Sequence, residues 1–406
     1  MRVLFITDNF PPEVNAPATR TFEHCREWIQ QGGEITVLTC VPNFPQGRVY
    51  EGYKNKLWQS EYMEGIRVVR VWTFIKPNKG LFLRILDYMS FAVNSFLAGL
   101  RIKTDVIIAT SPQFFTVISA FLLSRTKRKP WIFELRDLWP ASIRAVGAMK
   151  AGRILRMVEK LELFMYRKSN LIIALTEAFK RDLIRRGIAP EKIRVVPNGS
   201  NRELFYPRDK DVAILRELNM QNEFVIGYIG THGMAHGLDF IVETIPDIPE
   251  GDIRFLFIGD GAVKKDIVKI ASDRRIQRIC FLDPVLKGEV ARYMSVIDAA
   301  LVPLKKSDIF KTVIPSKIFE AASMLKPILL GVEGEAMEIV RGYNAGLCFE
   351  PENRIDFVRK VIMLKSDKKL YRKLQKGCGR LADDFDRSRL ALKMYNHIAE
   401  VVNEAG

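Results

Sequence analysis

Residues 313–331 read VIPSKIFEAASMLKPILLG. Pro315 and Ser316 open a helix that the apolar spacing carries to residue 324, and a continuous apolar run follows at 327–331. A helix that feeds a short strand without polar alternation is one turn of a parallel sheet buried on both faces. The same unit recurs outward from it. Strands are expected at 224–229, 254–258, 279–282 and 299–303 in the same half of the chain. In the other half they are expected at 3–7, 35–39, 68–72, 106–110, 131–135, 171–175 and 193–197. Helical stretches such as 22–31, 153–168 and 238–245 lie between them. This alternation predicts an α/β protein in which a doubly wound sheet is built twice. The turn-rich segment PNGSNRELFYP at 197–207 separates the halves. The expected organisation is a domain over 1–200, a second over 201–385, and a terminal helix within 386–406 that packs back toward the first domain. Two such domains around a hinge would face each other across a cleft, with ligands outside the carboxyl ends of the strands.

Composition narrows the function. The chain has 406 residues, 48% hydrophobic and 27% charged, which is a globular balance with enough apolar content for cores of ordinary size. Its five cysteines include no CxxC pair and its four histidines no HExxH, so a disulfide framework, a cysteine zinc site and a zinc hydrolase are all disfavoured. The net charge of +16 is uneven: residues 1–200 hold 31 Lys+Arg against 17 Asp+Glu, and residues 201–406 hold 32 against 30. The first half is the one expected to meet an anion. The cluster RTKRK at 125–129 fits nucleic acid, but no nucleic-acid motif accompanies it, and a basic loop on an anionic membrane fits equally. The opening MRVLFITDNF has too short an apolar run for a signal peptide and reads as a first strand. The stretch 81–102, LFLRILDYMSFAVNSFLAGLRI, is broken by Arg84 and Asp87 and is therefore not read as a membrane span. It reads either as core-packing helix or as a helix lying in a bilayer interface.

Several segments have the residue types of an anion site. The first βα turn, residues 8–20, contains Glu13, Asn15, Ala16 and Arg20 and leads into a helix start, where unpaired N–H groups favour an anion. FELRDLWP at 133–140 puts Glu134, Arg136 and Asp137 at a strand's carboxyl end, with Trp139 and Pro140 stiffening the loop. GYIGTHGMAHGLD at 227–239 places Gly230, Gly233 and Gly237 between a strand and a helix, with Thr231 and His236 beside them; small residues there permit close approach of a phosphate. FIGDG at 257–261 puts Asp260 between Gly259 and Gly261. Lys317 stands in the first turn of a helix, where a cation opposes the macrodipole, so a bound diphosphate would explain it. Glu320, one turn on, is placed to accept from ribose hydroxyls.

Taken together, VVPNGSNRELFYP (195–207), FIGDG (257–261), FLDPVLKGEVARYMSVIDAALVPL (281–304) and PSKIFEAASMLKPIL (315–329) resemble glycosyltransferase family 4, a group of GT-B sugar-nucleotide transferases. PPEVNAPATR (11–20) and RDLWP (136–140) resemble its bacterial polysaccharide branch, and within it the O-antigen and capsule N-acetyl-L-fucosamine transferases. The resemblance implies two Rossmann-like domains and transfer of a sugar from a UDP-sugar donor to an undecaprenyl-diphosphate-linked acceptor. It also implies a location on the cytoplasmic side of the inner membrane, against its anionic surface. It implies that Lys317 binds the diphosphate, Glu320 the ribose and Pro284 with Val285 the base, with Pro315 and Ser316 at the helix start. No metal or other cofactor and no nucleic acid are expected. Asn15, Ala16 and Arg20 are assigned to the acceptor, Arg136 to the catalytic set, and Asp137 or Glu13 to a base if the reaction inverts. The chain departs from the family at four places: Thr312 replaces the first glutamate of E-x7-E, Thr231 and His236 replace a common Arg and Lys, Asn15 and Ala16 replace Gly-Gly, and Arg136 replaces a frequent histidine. A UDP-sugar epimerase of the same architecture, a different donor sugar and a two-lobed binding protein are the competing readings.

Overall fold

The computed structural model describes residues 1–44, 46–76, 81–111, 113–138 and 153–405. The loop residues Trp139 and Pro140 lie outside them. The chain divides into two compact units, Met1–Pro197 with Ser388–Gly406, and Asn198–Arg387.

The first unit is built on an eight-stranded sheet. Its strands are β1 (Arg2–Ile6), β2 (Glu34–Cys40), β3 (Trp58–Met63), β4 (Ile66–Val71), β5 (Val106–Thr110), β6 (Trp131–Leu135), β7 (Leu171–Ala174) and β8 (Ile193–Val195). Their spatial order is β3-β4-β2-β1-β5-β6-β7-β8, parallel throughout except for the edge hairpin β3–β4. The strand order turns back on itself between β1 and β5, which is where doubly wound sheets present their ligand crevice. Apolar residues fill β5 and β6 on both faces, as the sequence pattern requires.

The first helix, α1 (Ala16–Gln30), begins inside the 8–20 segment expected to lead into it, a few residues earlier than the apolar spacing implies. Asn15 caps it, accepting from the Ala18 amide at 2.8 Å, and Pro17 sits in the first turn, where its missing N–H costs nothing. Residues 81–100 form one helix, α2 (Leu81–Leu100), packed on α3 (Phe115–Lys127), which in turn meets α4 (Arg153–Lys168). Among the described residues no helix is long and apolar enough to cross a membrane.

The terminal helix, Arg387–Ala405, is part of the first unit. Leu390, Met394, Ile398 and Val401 join Val3, Phe5 and Trp28 in one apolar cluster, and the Trp28 indole N–H donates to the Ala391 carbonyl at 2.8 Å. Burying four aliphatic side chains of this size stabilises the attachment by several kcal/mol, at about 1.5–3 kcal/mol each.

The second unit holds a six-stranded, fully parallel sheet: β9 (Phe224–Ile229), β10 (Ile253–Ile258), β11 (Ile279–Leu282), β12 (Ala299–Pro303), β13 (Ile328–Gly331) and β14 (Gly346–Cys348), ordered β11-β10-β9-β12-β13-β14. Its switch point lies between β9 and β12. The three-residue strand β14 is too short to show a pattern. A Cβ at Gly346 would stand 2.1 Å from the Ile328 carbonyl oxygen, so the close pairing with β13 requires glycine there.

Candidate active site

In the second unit the chain leaves β9 at the switch point through Gly230. The side chain of Lys317, first residue of the helix Lys317–Ser323, fills the space above it. A Cβ on Gly230 would lie 2.5 Å from Lys317 Nζ and 2.7 Å from Cε, so the ammonium occupies the place of a side chain. Nζ also stands 5.2 Å from the centre of the Tyr228 ring, over its face. No carboxylate among the described residues comes within ion-pairing distance of this nitrogen. Burial pulls the Lys317 pKa down, opposed by the charge of Glu320 one turn on. A half-buried cation without a carboxylate partner is poised for an anion that the protein does not itself supply.

His236 lies beside this point. Its ring meets Tyr228 edge to face at 5.9 Å, and Nδ1 is 3.2 Å from the Gly233 amide. Burial, and then the neighbouring Lys317 charge, hold its pKa below the ordinary histidine range. The imidazole is therefore neutral at neutral pH, with one ring nitrogen protonated, and Nδ1 lies 3.2 Å from both the amide nitrogen and the carbonyl oxygen of Gly233. The helix behind Lys317 is only seven residues long, and Ser316 makes no side-chain cap, so the ammonium rather than the helix start is the principal positive charge. Pro315, Ser316 and Glu320 are half-buried around this turn, and the Glu320 amide donates to the Ser316 carbonyl at 3.3 Å.

The glycines divide by task. A Cβ on Gly259 would strike the Gly230 carbonyl oxygen at 1.9 Å, and one on Gly261 the His232 carbonyl oxygen at 2.5 Å. Both glycines thus let the loops after β9 and β10 cross backbone to backbone. The crossing is fastened by His232 N–H to Asp260 O at 2.8 Å and Val263 N–H to His232 O at 3.0 Å. Asp260 is exposed and its carboxylate accepts from the Gly261 amide at 2.8 Å. Gly237 has a positive φ of 58° and packs against Lys305. The Thr231 carbonyl accepts from the Tyr228 hydroxyl at 2.6 Å, while its side chain is exposed. Pro284 is exposed and Val285 half-buried beyond the edge strand β11, on the same carboxyl edge of the sheet but two strands from Gly230. Thr312, where the family has a glutamate, donates to the Ile309 carbonyl at 3.2 Å.

Sequence reasoning missed Tyr228 and His232. His232 is fully buried between the Tyr228 and Phe257 rings, and neither ring nitrogen has a hydrogen-bond partner among the described residues. Burial first, then the charge of Lys264, lower its pKa to about 4, so it is neutral. The sequence signal for Tyr228 was its place two residues before Gly230 on β9, which puts both on one face of the strand.

In the first unit, three expected site residues turn out to be structural. Arg20 is 2% exposed, and its guanidinium is spent on Glu134 at 2.9 Å and on the carbonyls of Val196 and Pro197. It cannot reach an acceptor. Burial pushes Glu134 up, but Arg20 and Arg136 outweigh it and hold the carboxylate below its ordinary range. Glu13 is 3% exposed, and its Oε1 accepts from the amides of Asn43 at 2.7 Å and Phe44 at 2.8 Å, so it anchors that turn rather than serving as a base. Asn15 is committed to the helix cap and to Asn9 at 2.7 Å, leaving exposed Ala16 beside it. Arg136 donates to the Pro17 carbonyl at 3.2 Å, and the amides of Arg136 and Asp137 both reach Ser111 Oγ, at 2.8 and 3.4 Å.

The group that the sequence did not single out is Asp8. It follows β1 at the switch point. Burial, with Asp87 of α2 and then Glu13 as like charges, pushes its pKa up to about 8, against a smaller opposing effect of the Cys40 thiol. Asp87 is itself raised to about 6 by burial, opposed by Arg84. A carboxyl that titrates near neutrality is matched to proton exchange with a hydroxyl.

Residues 15–199 match the glycosyl transferase 4-like domain family, and residues 223–367 match the glycosyl transferases group 1 family. The chain is 25% identical over 375 residues to a protein of Escherichia coli (strain K12) named for colanic acid biosynthesis as the glycosyl transferase WcaI, covering 87% of this chain and 89% of that one. Among solved structures, sucrose-phosphate synthase from Thermosynechococcus elongatus superposes with a TM-score of 0.78 at 15% identity over 99% of both chains. Anabaena HepE in complex with UDP-glucose superposes with a TM-score of 0.71 at 16% identity, over 98% of this chain and 100% of that one. Two successive family matches, which together span most of the chain, on a pair of doubly wound sheets place this protein in glycosyltransferase family 4, as a hexosyltransferase of the GT-B fold.

Proposed function

We propose that this enzyme moves a sugar, N-acetyl-L-fucosamine, from its UDP-sugar to a sugar already linked through diphosphate to undecaprenol, in the assembly of an O-antigen or capsule polysaccharide. The observation that carries the reading is the Lys317 ammonium, seated at the end of β9 with no carboxylate among the described residues in ion-pairing contact with it. A nucleotide diphosphate is the anion that fits. As the bond from the anomeric carbon to the diphosphate oxygen breaks, negative charge grows on that oxygen, and a fixed cation lowers the barrier most there. Neutral His236 supplies a donor beside it. Glu320 holds the ribose and Val285 lies against the base. Because the cation is part of the chain, the reaction proceeds without a metal or other cofactor. The UDP-glucose held by HepE supports a nucleotide-sugar donor, and WcaI's name supports a part in polysaccharide assembly.

The first unit takes the acceptor. Asp137, the other carboxyl named for this role, would receive the acceptor's proton if the product is inverted, while Asp8, protonated below about pH 8, is placed to donate a hydrogen bond. The same unit offers a lipid-facing surface. Met89, Val93, Leu97 and Leu100 expose one stripe of α2, each 42–56% accessible, and Leu122 of α3 with Met157, Leu161 and Phe164 of α4 are exposed as well. Arg101, Lys103, Arg125, Arg128, Arg167 and Lys168, at or just beyond the carboxyl ends of these three helices, are exposed too. Exposed apolar side chains on helices that end in cations suit an anionic bilayer, where the acceptor resides.

The test is NMR-monitored turnover of the purified protein with UDP-N-acetyl-L-fucosamine and an N-acetylglucosaminyl-diphosphate lipid, in EDTA. The expected result is a new disaccharide, whose anomeric signal reports retention or inversion. UDP release without an acceptor product would favour an epimerase instead, and an intact donor would refute the choice of sugar or acceptor.

A further inference from the structure

Among the described residues no hydrogen bond or ion pair holds the Lys317 ammonium in its position. What defines the place of its ammonium is the face of Tyr228, 5.2 Å away, and the empty Cβ position of Gly230. Tyr228 is itself enclosed by fixed neighbours. It is fully buried, its hydroxyl donates to the Thr231 carbonyl at 2.6 Å, and its ring is flanked by Phe257 at 5.7 Å, His232 at 5.7 Å and His236 at 5.9 Å. An aromatic face attracts a cation without neutralising it, since the ring carries no net charge to compete with a ligand. A carboxylate in the same place would pair with the ammonium and cancel the field that an anion needs. The ring therefore does what an ion pair could not: it fixes a flexible four-carbon side chain and leaves its charge available.

We infer that Tyr228 and Gly230 form a seat for the Lys317 ammonium, and that Tyr228 is a positioning residue for diphosphate binding, acting through Lys317 rather than by touching the donor. This rests on the reading of Lys317 as the diphosphate ligand. Gly230 serves the seat by having no side chain, since a methyl group there would displace Nζ. Tyr228 serves it by its ring and not by its hydroxyl, which is turned to the backbone.

The test is calorimetric titration of UDP into the full chain, comparing wild type, Tyr228→Phe, Tyr228→Leu, Lys317→Ala and the double variant Tyr228→Leu with Lys317→Ala. The seat requires Tyr228→Phe to bind within about twofold of wild type, and Tyr228→Leu to bind roughly two- to thirtyfold more weakly, the range of a cation over an aromatic face. Once Lys317 is gone, adding Tyr228→Leu must change affinity by less than about twofold, because the ring then has nothing to hold. A merely structural tyrosine would weaken binding equally in both backgrounds, and that result overturns the inference. So does an unchanged affinity for Tyr228→Leu. Where the leucine variant does not fold, replacing Tyr228 by pentafluorophenylalanine keeps the ring's size and reverses its quadrupole; weaker UDP binding by a folded variant supports the seat, and wild-type affinity refutes it. Equal binding by wild type and Lys317→Ala, or none by wild type, would instead overturn the assignment of Lys317 itself, and the seat with it.

Discussion

Replacing Asp8 by asparagine should stabilise the first unit, and by more as pH rises. In the folded chain the Asp8 carboxyl keeps its proton up to about pH 8, against an ordinary value of 3.8. Between those values the unfolded chain has released the proton and the folded chain has not. The folded state therefore binds more protons, and stability falls as pH rises. The slope for one such group is about 1.4 kcal/mol per pH unit, so the total ionisation cost is on the order of 5 kcal/mol by pH 8. An asparagine at this position has no proton to lose. Relative to wild type, Asp8→Asn should gain little at pH 4.5, about 3 kcal/mol at pH 6, and most above pH 8. All five tryptophans lie in residues 1–197, so urea unfolding followed by tryptophan fluorescence reports this unit. Asp87→Asn removes the larger like charge and should make the wild-type loss smaller. Parallel pH profiles for wild type and Asp8→Asn would refute the buried, charge-crowded environment on which the assignment of Asp8 rests.

Two further outcomes follow from the first unit. Glu134→Gln leaves Arg20 buried without its counter-charge and should lower stability by about 3–5 kcal/mol, read by the same fluorescence unfolding; a change below about 1 kcal/mol would mean that the Val196 and Pro197 carbonyls alone satisfy the guanidinium. Val93→Asp with Leu97→Asp should abolish co-sedimentation with phosphatidylglycerol-rich vesicles while leaving the circular dichroism spectrum unchanged. Wild-type binding should weaken with added salt, and equal binding by the double variant would remove α2 from the lipid surface.

The legible part of this protein was its strand grammar. Runs such as VIIAT and WIFEL are apolar at nearly every position, which only a parallel sheet covered on both faces explains, and they fell where expected. Strands without that signature were invisible: β3 alternates exposed and half-buried residues at a sheet edge, and β14 has three residues. Lys317 was legible because a lysine at a helix start violates the helix's own electrostatics. Its seat was not, since a ring under an ammonium and a missing Cβ are facts of three-dimensional approach. Arg20 and Glu13 look like site residues in sequence because they are charged and sit in the first βα turn. What makes them structural is the partner each finds far along the chain, Glu134 for one and the 43–44 amides for the other. Asp8 was overlooked for the converse reason: its proton affinity comes from burial beside Asp87 of α2, 79 positions later in the sequence.

The measurement that tests the central claim most directly is the turnover number of Lys317→Ala with saturating UDP-sugar and acceptor, with folding verified by circular dichroism. If Lys317 stabilises the charge that develops on the departing diphosphate, turnover should fall by about a hundred- to a thousandfold, and Lys317→Arg should restore only part of it, because a broad planar guanidinium does not reproduce the compact ammonium seated against Gly230. Turnover within a few-fold of wild type for a folded Lys317→Ala would contradict the account.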